Sequence, residues 1–174
     1  DLDRASAGIP ETADAAVTST AGRVCVIMVA DCLPVLFASR DGQRIAAAHA
    51  GWRGLAAGVL ERTVAALRVP GAQLTAWLGP AISRPHFEVG EEVRDAFVAS
   101  DSGATAAFEP NARGRWQADL AALARRRLAA LGVTDVGGGD WCTFADRERF
   151  YSHRRDGHFQ VGAGGRMAAL IWRD

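Results

Sequence analysis

The stretch "VADCLPVLFASRDGQRIAAAHAGWRG", Val29 to Gly54, decides the fold. Two apolar segments, Leu33 to Ser39 and Arg44 to His49, flank "RDGQ". Asp-Gly between two such runs signals a tight hairpin. A hairpin brings the far ends of its strands together. Cys32 and His49 stand at those ends, although sixteen residues lie between them in the chain. Thiolate and imidazole are the usual ligands of zinc and also suit copper. The same pair can act as nucleophile and base. A buried thiol beside a hydrogen-bonded histidine in an ordinary sheet has the same spacing, so spacing alone leaves these readings open. Pro34 lacks a backbone donor and marks a strand start, an edge or an irregularity.

Working outward, "HAGWRG" breaks the pattern with Gly51 and Gly54. Such glycines allow backbone to approach a ligand, and Arg53 adds a planar, bidentate donor for a phosphate. Trp52 packed over a plain strand-to-helix turn is the competing reading. Leu55, Val59, Thr63 and Leu67 recur at four-residue spacing and predict one helix ending near Pro70. Arg23 to Ala30 reads as a buried strand holding Cys25 as a small hydrophobe. Gln73 to Leu78 and Val133 to Val136 read as further strands. "EVGEEVRDAFVAS" from Glu88 and "ADLAALARRRLAALG" read as helices, the second stopped by Gly132. Within it, Arg125, Arg126 and Arg127 spread around the helix and form a solvated face. Phe150 to His153 and Met167 to Trp172 read as strands. In the first of these, Ser152 and Arg154 would share one face, opposite His153 and Arg155. Helices and strands alternate irregularly around at least one hairpin. The expected class is α/β, a layered fold of mixed β-sheets packed against helices.

The chain has 174 residues, 49% of them hydrophobic, enough for one domain with a sizeable core. Twenty basic and twenty acidic residues balance, so there is no excess positive charge to hold nucleic acid or an anionic membrane. No apolar run has the length of a membrane span, and three cysteines make no disulfide framework. A reducing cytoplasm is the expected setting. Asp1 opens a polar stretch without a preceding Met, which reads as a single domain over 1–174 that is incomplete at its N-terminus.

"ADCLPVLF", "AAHAGWRG", "WLGPAISRPHFEVGEEV", "DWCTFAD", "FYSHRRDG" and "GRMAALIW", in this order, cover almost the whole chain. Together they resemble the YfiH-like, laccase-domain family, formerly described as multicopper polyphenol oxidases and now associated with purine nucleoside phosphorylase activity. The resemblance implies a fold similar to that of cysteine hydrolases. It implies zinc held by Cys32, His49 and a further histidine from a Gln-x-His segment upstream of Asp1. His86, His153 and His158 are the other imidazoles that could substitute for it. Arg53, Ser152, Arg154 and Arg155 become candidates for binding substrate or phosphate. Asp31 and Glu88 are weak candidates for proton transfer. The implied partners are a purine nucleoside (adenosine, inosine or methylthioadenosine) and phosphate, with adenosine deaminase as a side activity. The alternatives are a Cys/His hydrolase, a peptidoglycan-precursor editing amidase, and a copper oxidase. The last fits poorly, because four histidines are too few for several copper centres.

Overall fold

The Asp-Gly hairpin forms as expected and lies at the centre of the molecule. The computed structural model describes residues 1–3, 13–157 and 165–174. In chain order the elements are β1 (Ala15–Thr18), β2 (Val24–Val29), β3 (Leu33–Ser39), β4 (Ile45–Ala50), α1 (Trp52–Ala56), α2 (Val59–Leu67), β5 (Leu74–Leu78) and β6 (Glu88–Val89). They continue with α3 (Glu91–Val98), β7 (Phe108–Pro110), β8 (Trp116–Ala118), α4 (Leu120–Ala130), β9 (Asp135–Gly138), α5 (His153–Asp156) and β10 (Met167–Trp172). The main sheet has the order β1-β4-β3-β5-β9, antiparallel except for the parallel β5–β9 pair. A ribbon of β2 and β10 covers one face. Helices α2 and α4 pack on the other. A small sheet, β6-β8-β7, completes the α/β architecture.

The alanines of β4 explain how these layers close. Phe37 pairs with Ala46 on one side and Ala76 on the other. Small partners leave room for its ring, which is fully buried in the core shared with Leu60, Leu67 and Leu128. Ile45 and Ala47 turn the opposite way, onto Cys25, Ile27 and Val29 of the ribbon. Strand periodicity sends alternate residues to opposite faces, so β4 needs apolar side chains on both.

Five expectations change. The run from Arg23 is buried on one side only: Val24, Val26 and Met28 are 43%, 43% and 50% exposed. A two-stranded ribbon laid over a sheet has no layer above it. The predicted helix from Leu55 to Leu67 is two helices, because Gly58 takes a left-handed φ of 87° that ends α1 and starts α2. Glu88 and Val89 pair with β8 as a strand, and the helix begins at Glu91. The strand expected at Val133 starts at Asp135 and runs into the glycines, with the Val133 side chain buried instead. Phe150 to His153 is not a strand. Ser152 caps a short helix there, accepting a hydrogen bond from the Arg155 amide, so the predicted alternation of Ser152, His153, Arg154 and Arg155 does not exist. Among the described residues, no helix is long and apolar enough to cross a membrane.

Phe37→Ala empties the centre of this core. It is expected to cost about 3–5 kcal/mol in urea denaturation, because alanine partners cannot collapse into the void.

Candidate active site

Register builds the centre of the site. Leu33 pairs with Ala50 and Pro34 with His49. One step further, Cys32 comes opposite Gly51. Cys32 and His49 therefore lie on one face as diagonal neighbours, a separation that side chains can bridge. Glycine at 51 supplies the space: a Cβ there would stand 2.9 Å from Cys32 Sγ and 3.6 Å from His49 Nε2. The other ring nitrogen, Nδ1, lies 3.1 Å from Asp14 Oδ1, and the His49 amide donates to the Asp14 carbonyl at 2.7 Å. Cys32, His49 and Asp14 thus stand in series. The hydrogen bond to Cys32 raises His49 to about 9; partial burial opposes this, and the Asp14 contact adds to it.

Cys32 also forms part of the wall of a cavity of about 280 Å³. Its other chemistry-bearing walls are Asp31, Trp52, Arg53, Phe87, His153 and Arg154. Arg53 stacks over Trp52 at 4.5 Å, at the first turn of α1. Arg154 lies over Phe87 at 5.5 Å and donates to the Glu88 carbonyl at 3.0 Å. Two guanidiniums and two aromatic rings therefore meet beside the thiol.

Asp31, itself part of this wall, is 8% exposed and has a φ of 84°. Its Oδ1 accepts from the Thr143 hydroxyl at 2.6 Å. Its Oδ2 accepts from the Ser152 hydroxyl at 3.0 Å and the Arg154 amide at 2.6 Å. Ser152 is buried and spends its hydroxyl on Asp31 and the α5 cap, so it faces no ligand. Arg155 is buried too. Its guanidinium donates to the Thr143, Phe144 and Phe150 carbonyls and twice to Asp156. All five of its donors are engaged. Neither Ser152 nor Arg155 lines the cavity, and the reason is the helical turn that replaces the expected strand. Glu88 turns its carboxylate away, to Asn111, Arg113 and Arg115.

Cys25 is fully buried, and burial pushes its thiol up to about 11. His86 stacks on Phe144 at 4.5 Å, and His158 lies outside the described residues. The three arginines of α4 are not merely solvated. Arg125 holds the Val136 and Gly138 carbonyls, Arg126 pairs with Asp101, and Arg127 pairs with Glu61. Sequence reasoning missed Asp14 and Thr143. Asp14 stands in an unremarkable polar segment, and only its position beside β4 gives it a partner.

A Cys and a His meeting over a glycine suit a soft divalent ion, and Asp14 stands where metal-binding histidines keep an orienting carboxylate. Among the described residues, no group of three or more His, Cys, Asp or Glu is arranged to hold a metal. Cys32 and His49 by themselves would offer an ion two ligands.

The family described as multi-copper polyphenol oxidoreductase laccase matches residues 1–174. The chain belongs to this family. Over 161 residues it is 58% identical to a purine nucleoside phosphorylase of Pseudomonas aeruginosa, covering 92% of this chain and 64% of that protein. It is 52% identical to the Escherichia coli purine nucleoside phosphorylase YfiH, covering 92% of this chain and 63% of that protein. This laccase-family chain therefore spans less than two thirds of the length of these relatives. A crystal structure of a Neisseria meningitidis protein superposes with a TM-score of 0.88 at 54% identity, covering 93% of this chain and 65% of that one. The crystal structure of a Bacillus licheniformis YfiH gives 0.83 at 27% identity, covering 92% and 61%.

Two outcomes follow from the site's geometry. Arg155→Lys leaves buried carbonyls without donors and is expected to cost about 2–4 kcal/mol in chemical denaturation. His49 is protonated more readily folded than unfolded, so its pairing contributes fully below its ordinary 6.5 and is lost as pH rises through about 9. Denaturation of the metal-free chain across that window should show the decline, and His49→Gln should remove His49's share of it.

Proposed function

We propose that the protein is a zinc-dependent purine nucleoside phosphorylase acting on adenosine, inosine or methylthioadenosine, with adenosine deamination as a side reaction. One observation carries this reading: Cys32, backed by His49, shares a cavity wall with Arg53 and Arg154. The names of the relatives support it.

Phosphorolysis needs phosphate beneath the ribose C1′ and a purine that leaves as its bond to C1′ breaks. Arg53 and Arg154 bind the phosphate as charge-assisted donors and hold it for in-line attack. The aromatic faces of Trp52 and Phe87 take the flat base. Zinc, held by Cys32 and His49 with a further ligand, would supply Lewis-acid stabilisation of negative charge in the transition state. Asp14 keeps the His49 ring turned so that Nε2 faces the thiol. His49 would have to give up its proton to hold the ion, so zinc affinity would rise with pH.

A second reading has its own support. Cys32, His49 and Asp14 in series are also nucleophile, base and orienting acid, the arrangement of a cysteine hydrolase acting on an amide.

The complete gene product decides between them. About one zinc per chain and phosphate-dependent release of hypoxanthine from inosine are expected, both lost in His49→Ala. Arg53→Ala should raise the KM for phosphate about tenfold or more while leaving zinc content unchanged. Amide hydrolysis by metal-free protein, abolished in Cys32→Ser, would establish the hydrolase instead.

A further inference from the structure

We propose that Asp31 is a positioning residue that places the Cys32 thiol and the Arg154 guanidinium on one cavity. The inference rests on reading that cavity as the reaction site. The Asp31 carboxylate is engaged within the protein. Oδ1 is taken by Thr143 and Oδ2 by Ser152 and Arg154, all from inside the protein. It acts through what it ties together.

Three segments distant in sequence converge on it. Thr143 comes from the loop after β9, and Ser152 and Arg154 from the start of α5. The Asp31 carbonyl accepts from the Ile82 amide at 2.9 Å. Ile82 and Arg154 line the cavity, as do Asp31 and Cys32 themselves. Asp31 also holds a left-handed φ of 84°, a conformation non-glycine residues rarely adopt. Such a conformation persists where surrounding contacts over-determine it. Here the three donors to its carboxylate do so, and the turn directs the next residue, Cys32, into the register that meets His49. The same Oδ2 anchors the Arg154 amide and so fixes where that side chain leaves α5. One carboxylate therefore sets both a thiol and an arginine that lie 122 residues apart in the chain.

Asp31→Asn separates positioning from plain stability. Asparagine keeps the shape and tolerates the left-handed backbone, but it turns one acceptor oxygen into a donor facing other donors. Thr143→Val removes a single donor and is the variant to use if Asp31→Asn does not fold. In the full chain, below the melting transition, two modification rates are measured by peptide mass spectrometry: Cys32 with iodoacetamide and Arg154 with phenylglyoxal. Both are expected to change by roughly threefold or more in Asp31→Asn, and in the same direction but less in Thr143→Val. Cys25, fully buried under the ribbon, should stay unlabelled. Lower melting temperatures with both rates as in the parent chain would overturn the proposal and leave Asp31 a structural residue. Inorganic phosphate is added to the parent chain separately. If it fails to protect Arg154 while both rates still shift in the variants, positioning stands and the phosphorylase reading of the cavity falls.

Discussion

Register between β3 and β4 is the constraint on which the site depends. Side chains alternate with a period of two, so a slip of one residue would send His49 to the helix-facing side and bring a different residue opposite Gly51. The Asp-Gly turn sets this register at one end. In the middle, the alanines opposite Val35 and Phe37 suit this register by setting small side chains against large ones. What remains at the open end is a cysteine, a histidine and a glycine whose missing side chain lets the other two meet.

A second constraint comes from outside the hairpin. The cavity has walls from the turn between β2 and β3, α1, the loop after β5, α4 and α5, and no backbone pairing joins all of these. Side-chain hydrogen bonds do. Arg155 fastens α5 to the loop carrying Thr143 and Phe144, and Asp31 fastens both to the start of β3. Residues that seemed chemical in the sequence, Ser152 and Arg155, turn out to be the fastening. Charged groups that need many partners are often the ones that order irregular backbone, because a buried ion is costly until each of its polar atoms is matched.

Much of this was legible beforehand. The hairpin, strands β3, β5 and β10 and helix α4 follow from periodicity and turn residues, since each is a local pattern with a local cause. So did the meeting of Cys32 with His49, because a tight turn converts sequence position into spatial position. Failures came where a segment's environment, not its composition, decides. "FYSHRR" contains strand-forming residues, yet Asp31 and the Ser152 cap draw it into a helical turn. Met28 belongs to an apolar run, yet the ribbon has only one covered face.

The sequence by itself determined the central hairpin, the α/β class and the pairing of a thiol with an imidazole, all through contacts between near neighbours or across one turn. Only the tertiary structure decided which arginine faces the cavity and which is spent inside the protein. Arg154 and Arg155 are adjacent and chemically identical. One donates to the Glu88 carbonyl at the cavity's edge; the other is saturated by three carbonyls and Asp156. That difference arises from a helical turn that sends successive side chains in different directions, and from the distant loop that waits on one side of it.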